Sequence, residues 1–173
     1  MPENEIKFVV RNYEEHERSL TPLGWHDIEQ GYLNPNNRIR LISYPDHDDF
    51  EYFFTYKQRL PNGHNLELGE FPLGVDVGIE AWQCTQERLR KRRVSIVHDK
   101  LKWDIDFYRW KAPYFVLAEV EMPASMQHPT SILPHIEKDI VYEVPRDDGR
   151  FTARLLADED HVRKLARELH LIA

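Results

Sequence analysis

Like charges recur two residues apart inside segments that otherwise favour β-strands. Three of these pairs are acidic: Glu3/Glu5, Asp104/Asp106 and Glu119/Glu121. Three are basic: Arg38/Arg40, Lys57/Arg59 and Lys91/Arg93. Residues at i and i+2 of a strand project from one face, so six strands each present a charged face. The contexts are strand-like: Arg38-Ile39-Arg40-Leu41-Ile42, Lys102-Trp103-Asp104-Ile105-Asp106-Phe107 and Val116-Leu117-Ala118-Glu119-Val120-Glu121, all rich in β-branched, aromatic and aliphatic residues. A sheet that curls with acids and bases both pointing inward makes a wet pocket for an anion and a metal ion together.

The elements that must position these residues follow from pattern and punctuation. A first strand is expected over Glu3–Val10, then a short polar helix opened by Asn12 with Glu15 three residues on, reaching Ser19. Strands at Ile28–Leu33 and Arg38–Tyr44 flank the turn Asn34-Pro35-Asn36-Asn37 and predict a hairpin. A second hairpin pairs Phe50–Leu60 with Asn65–Phe71 across Pro61-Asn62-Gly63. Val75, Ile79, Trp82 and Leu89 have helical spacing, which predicts a helix over Asp76–Glu87. Short links join Arg90–His98, Lys102–Trp110 and Tyr114–Met122, as in an antiparallel meander. Three prolines mark residues 123–135 as a loop, Ile140–Val144 reads as a short strand, and Arg150–Leu155 as a chain return. Asp158 caps a C-terminal helix with an apolar stripe of Val162, Leu165, Ala166 and Leu169. The reading is α+β and one domain over residues 1–173, with the sheet at about 1–157 and the last helix at about 158–171.

Composition excludes several classes of function. The net charge of −7 disfavours non-specific nucleic-acid binding, although clustered charge and a divalent cation still permit an anionic ligand. No apolar run approaches a membrane span. The N-terminus Met-Pro-Glu-Asn-Glu has no secretory pattern, and the single cysteine, Cys84, permits no internal disulfide. A cytoplasmic protein without membrane partners is the expectation. The nine histidines form no zinc-type pair, no Gly-rich phosphate loop is present, and no serine sits in a nucleophile elbow.

The order of the charged pieces resembles the CYTH family, the triphosphate tunnel metalloenzymes. Glu3-Asn4-Glu5-Ile6-Lys7 is similar to its N-terminal Glu-x-Glu-x-Lys signature. Ile28–Leu33, Arg38-Ile39-Arg40, Tyr52–Lys57, Lys91-Arg92-Arg93, Trp103-Asp104-Ile105-Asp106, Leu117–Glu121 and the late Glu143-Val144 and Arg150-Phe151 follow in the family's order. The resemblance implies an eight-stranded antiparallel β-barrel with peripheral helices, whose tunnel binds a polyphosphate with Mg²⁺ or Mn²⁺. It implies metal ligation by Glu3, Glu5, Asp106, Glu119 and Glu121, and phosphate binding by Lys7, Arg38, Arg40, Lys57, Lys91 and Arg93. Glu5 and Lys7 are the implied catalytic residues, and a homodimer is the implied assembly.

The chemistry of the side chains agrees. Arginine grips phosphate with forked hydrogen bonds, lysine supplies a compact charge, and Mg²⁺ takes carboxylate, phosphate and water oxygens. In the basic run Arg88–Arg93, a one-residue slip would turn Arg90 and Arg92 inward in place of Lys91 and Arg93. The family's alternating carboxylates on the fifth strand are replaced here by Glu67 and Glu70, three apart, which a regular strand puts on opposite faces; Gly69 could mark a bulge that realigns them. The expected activity is metal-dependent hydrolysis of inorganic or small organic triphosphate. The alternatives are an adenylate cyclase and a binding module that does not turn over.

Overall fold

The computed structural model describes residues 4–47, 49–61 and 65–173. Glu3 and the turn residues 62–64 lie outside the described residues, as does the side chain of Arg59. Among the described residues nine strands follow in chain order: β1 (Glu5–Val10), β2 (His26–Tyr32), β3 (Asn37–Ser43), β4 (Glu51–Arg59), β5 (Asn65–Leu73), β6 (Gln86–His98), β7 (Leu101–Tyr108), β8 (Val116–Glu121) and β9 (Ile140–Val144). Helix α1 (Tyr13–Leu20) follows β1, α2 (Val75–Gln83) follows β5, and α3 (Glu159–Glu168) ends the fold.

The strands form one sheet in the order β5-β4-β3-β2-β6-β7-β8-β1-β9, with every pairing antiparallel. The expected eight-stranded closed barrel is corrected on two counts. Ile140–Val144 adds a ninth strand to the outer side of β1, and among the described residues no ladder joins β5 to β9. The sheet nevertheless curls, because side chains of β1 and β5, far apart in the ladder, line the same cavity.

Strand parity sorts the core into two clusters. Ile6, Phe8, Trp103, Ile105, Phe107, Ala118 and Val120 lie on the convex side, packed with Leu20 of α1 and with Leu133 and Ile136 from the long loop. Val9, Tyr108, Leu117, Val144 and Phe151 lie on the concave side, where Val162, Leu165 and Ala166 of α3 cover them. Along β1 the concave face therefore runs from charged (Glu5, Lys7) to apolar (Val9), and the apolar end of the trough is filled by the C-terminal helix. That helix starts as expected: the Asp158 carboxylate accepts from the backbone N–H groups of Asp160 at 2.9 Å and His161 at 3.3 Å.

Two local expectations are corrected. Asn12 does not cap α1 with its side chain; it adopts φ +60° and donates to Asp139 at 2.9 Å instead. The charge-assisted bond to Asp139 orients the amide, and its oxygen does not accept from the free N–H groups of the helix start. Helix α2 ends at Gln83, four residues early, since Thr85 donates back to the Trp82 carbonyl at 2.7 Å and β6 begins at Gln86. Residues 150–155 return the chain as expected: two 3₁₀ turns, Gly149–Phe151 and Leu155–Ala157, carry it past the concave face with Phe151 buried.

Candidate active site

The concave face encloses a cavity of about 660 Å³. Its lining includes Glu5 and Lys7 from β1, Arg38 and Arg40 from β3, Lys57 from β4 and Glu67 and Glu70 from β5. It also includes Lys91 and Arg93 from β6, Asp104 from β7 and Glu119 and Glu121 from β8. Arg38/Arg40, Lys91/Arg93 and Glu119/Glu121, with Glu5, Lys57 and Asp104 from the other pairs, thus reach one place because they occupy the inward parity of their strands. The registers agree: Arg93 stands opposite Asp106, Lys7 opposite Glu119 and Glu5 opposite Glu121. Lys91 and Arg93, not their neighbours, point inward. Arg90 and Arg92 face the other side, where both bind Asp27 and Arg92 lies 3.7 Å over the Trp25 ring.

One wall of the cavity is cationic with carboxylate counterions. Arg38 Nη2 donates to Glu67 at 3.1 Å, Lys57 Nζ lies 3.8 Å from the same carboxylate, and Arg40 donates to Glu70. Gly69, at φ +115°, and a register shift between Thr55 and Lys57 bring Glu67 and Glu70 onto the same face, as the bulge reading expected. Among the described residues, Nε of Arg38 and Nε of Arg40 are buried without a hydrogen-bond partner. Two buried unsatisfied guanidinium donors are costly, and they face neighbours of their own sign. Burial, reinforced by Arg38, brings the Arg40 pKa down to about 10.

The opposite wall is a network of carboxylates held by cations. Lys7 Nζ lies 3.0 Å from Glu5 and also donates to Glu119. Burial opposes the charge of Lys7, but Glu119 and Glu5 together hold its pKa above the ordinary lysine range. Burial is the largest single influence on Glu119 and Glu5 and opposes their ionisation, but the surrounding cations together outweigh it, Lys7 and Lys57 at Glu5 and Lys7, Lys91 and Arg93 at Glu119, and both stay below the ordinary glutamate range. Glu121 sits exposed at the rim. Asp106, expected among the metal ligands, is 0% exposed and lies behind the lining. Its oxygens accept from Lys91 and, at 2.7 Å each, from Nε and Nη2 of Arg93.

Among the described residues, no three His, Cys, Asp or Glu side chains stand in metal-holding geometry. The donor chemistry nevertheless fits a hard divalent cation. Glu5, Glu119 and Glu121 are oxygen donors on adjacent strands, and the Lys7 ammonium between Glu5 and Glu119 shows that this spot favours positive charge.

Residues the motifs did not single out also line the cavity: Gln30 and Tyr32 of β2, Lys102, and Arg146, Asp148 and Arg154 beyond β9. Gln30 and Tyr32 share the i,i+2 parity that exposed the charged pairs, and the Gln30 amide donates to the Tyr32 hydroxyl at 2.6 Å. Arg146 and Arg154 come from irregular chain, where no periodicity signals a direction. Arg150, in the late motif, turns away to Asp148 and Glu168.

The crystal structure of the inorganic triphosphatase NE1496 is similar over 91% of this chain and 95% of its own, with 24% identity and a TM-score of 0.55. A second structure of NE1496, described as a hypothetical protein, is similar over 90% and 97%, with 24% identity and a TM-score of 0.54. The PH1012 protein from Pyrococcus horikoshii OT3 aligns over 99% and 92% at 18% identity and a TM-score of 0.49. No family model matches the sequence, and a search of curated proteins returned no match. The likeness to NE1496 is one of fold: α+β with a mostly antiparallel sheet.

Proposed function

We propose that the cavity binds a triphosphate, inorganic or on a small organic group, and hydrolyses it with a divalent metal ion. The observation that carries this reading is the separation of roles across the cavity. Arg38 and Arg40, whose Nε–H groups have no hydrogen-bond partner among the described residues, line one wall, and carboxylate oxygens cluster on the other. A linear polyanion with a bound cation matches the charge of both walls at once. The similarity to a structure described as an inorganic triphosphatase supports the same reading.

Arg38, Arg40, Lys57 and Lys91 take the phosphate oxygens, with Arg93 beside them. Glu5, Glu119 and Glu121 hold Mg²⁺ or Mn²⁺, and Glu3, outside the described residues, is proposed with them. When bound, the metal polarises phosphoryl oxygens and lowers the pKa of bound water. Lys7 stays charged, so its task is to neutralise phosphoryl charge and not to remove a proton. Ionised Glu5 orients the attacking water and accepts its hydrogen bond. Positioning and charge stabilisation account for most of the acceleration in such transfers.

The experiment is phosphate release from tripolyphosphate, ATP and thiamine triphosphate, with Mg²⁺, with Mn²⁺ and with chelator, beside Glu5→Gln. Release from tripolyphosphate that needs metal and falls by on the order of a hundredfold in the variant is expected. Cyclic AMP from ATP would favour the cyclase reading, and tight binding with no product the non-catalytic one. A homodimer in the cytoplasm is proposed with the same reading, and sedimentation of the purified chain tests the dimer. No helix among the described residues is long and apolar enough to cross a membrane.

A further inference from the structure

We infer that Asp106 is a positioning residue: from behind the cavity it fixes Lys91 and Arg93 in the orientation that grips phosphate, and it does not ligate the metal. The inference rests on the triphosphate reading for what those cations grip. Its own support is geometric. Asp106 is fully buried, at 0% exposure, and does not reach the cavity surface. Oδ1 accepts from Arg93 Nε, and Oδ2 accepts from Arg93 Nη2 and from Lys91. A carboxylate has about four lone-pair sites, and three are taken.

The consequences for the two cations differ. Arg93 spends Nε and one Nη2 hydrogen on Asp106, donates from Nη1 to Asp104 at 2.8 Å, and reaches Glu119 from Nη2 at 3.1 Å. A guanidinium has five N–H donors, so one is left for a ligand, and its direction is set by the fork on Asp106. Lys91, 4% exposed, has one hydrogen on Asp106 and lies 5.4 Å from the Tyr108 ring centre. Its remaining hydrogens are the ones available to the cavity it lines. Removing the carboxylate leaves a buried ammonium without its partner and unlocks the Arg93 fork.

Asp106→Asn tests this with two independent readouts. The first needs no substrate: nitrogen-15 NMR of the Arg93 Nε–H. Slow hydrogen exchange in the parent and exchange at least about tenfold faster in the variant is expected from loss of a buried charge-assisted bond; unchanged protection overturns the inference. The second is Mn²⁺ affinity by calorimetry alongside steady-state kinetics with tripolyphosphate. Mn²⁺ affinity within twofold of the parent, with kcat/KM reduced at least about tenfold, is expected; a tenfold loss of Mn²⁺ affinity overturns it in favour of ligation, and unchanged kinetics make Asp106 a bystander. Should the parent release no phosphate, the triphosphatase reading falls while the exchange measurement still decides the role of Asp106. If Asp106→Asn does not fold, Lys91→Met/Asp106→Asn removes both buried charges, and faster Arg93 exchange is expected there as well; protection equal to the parent overturns the proposal.

Discussion

Glu67 and Glu70 stand three residues apart on β5, yet both face the cavity and each holds an arginine of β3. The device is Gly69 at φ +115°. A Cβ there would touch nothing within 4 Å, so the constraint is in the backbone alone. Gly69→Ala is expected to destabilise the fold by about 1–3 kcal/mol and to raise KM for triphosphate, as Glu67 and Glu70 are pulled out of line. A denaturant midpoint equal to the parent's would show that the bulge tolerates a side chain.

The crowded guanidinium pair makes a prediction that needs no turnover. Tripolyphosphate in chelator should stabilise the chain, by about 2.7 kcal/mol at a hundred times Kd, or roughly 5–10 °C in Tm for this size. Arg40→Gln should remove most of that shift while raising the Tm of the ligand-free protein, because a repelled, buried charge is gone. A thermal melt with and without the anion reads both. A full shift in the variant would place the phosphate elsewhere.

Lys91 sets a pH dependence. Burial, with Arg93 adding to it, lowers its pKa to about 8 against the opposing pull of Asp106 and Glu119. Its folded pKa lies below the ordinary lysine value of 10.5, so between those limits the unfolded chain binds more protons and stability rises with pH. Lys7 has the opposite sign, since its raised pKa contributes stability that is full below its unfolded value and is lost only above it. Anion affinity should fall as Lys91 neutralises above pH 8. Lys91→Met should flatten both profiles in that window, and urea melts with calorimetry at pH 7 and 9.5 check them.

Phe151 closes the apolar end of the trough and packs edge-on to Phe115, with ring centres 6.3 Å apart. Phe151→Ala should cost about 3–5 kcal/mol, measured by urea unfolding. It should leave the proposed metal requirement unchanged, since Glu5, paired with Glu121 of β8, lies at the other end of β1 from Val9.

The inward parity of the charged pairs was legible in the sequence because a strand has only two faces, and Arg38/Arg40, Lys91/Arg93 and Glu119/Glu121 each commit their strand to one. The Gly69 bulge was legible as a disagreement between Glu67 and Glu70 that only an extra residue resolves. Asp106 was not distinguishable from Asp104. They share a face, and whether a carboxylate reaches the cavity or stops behind two cations depends on which side chains stand across the ladder. The barrel's failure to close was also out of reach, since closure depends on pairing between β5 and β9 and no local pattern records it. Asn12 read as a helix cap because its competitor, Asp139, lies 127 positions away.

A ladder with two ends is mechanically lopsided. The wall bearing Glu5, Lys7, Arg93 and Glu119 lies on strands paired along both sides, whereas among the described residues β5, with Glu67 and Glu70, is paired to β4 alone. One half of the cavity is therefore framed by hydrogen-bonded rungs on either side, and the half that holds Arg38 and Arg40 through Glu67 and Glu70 leans on the margin of the sheet.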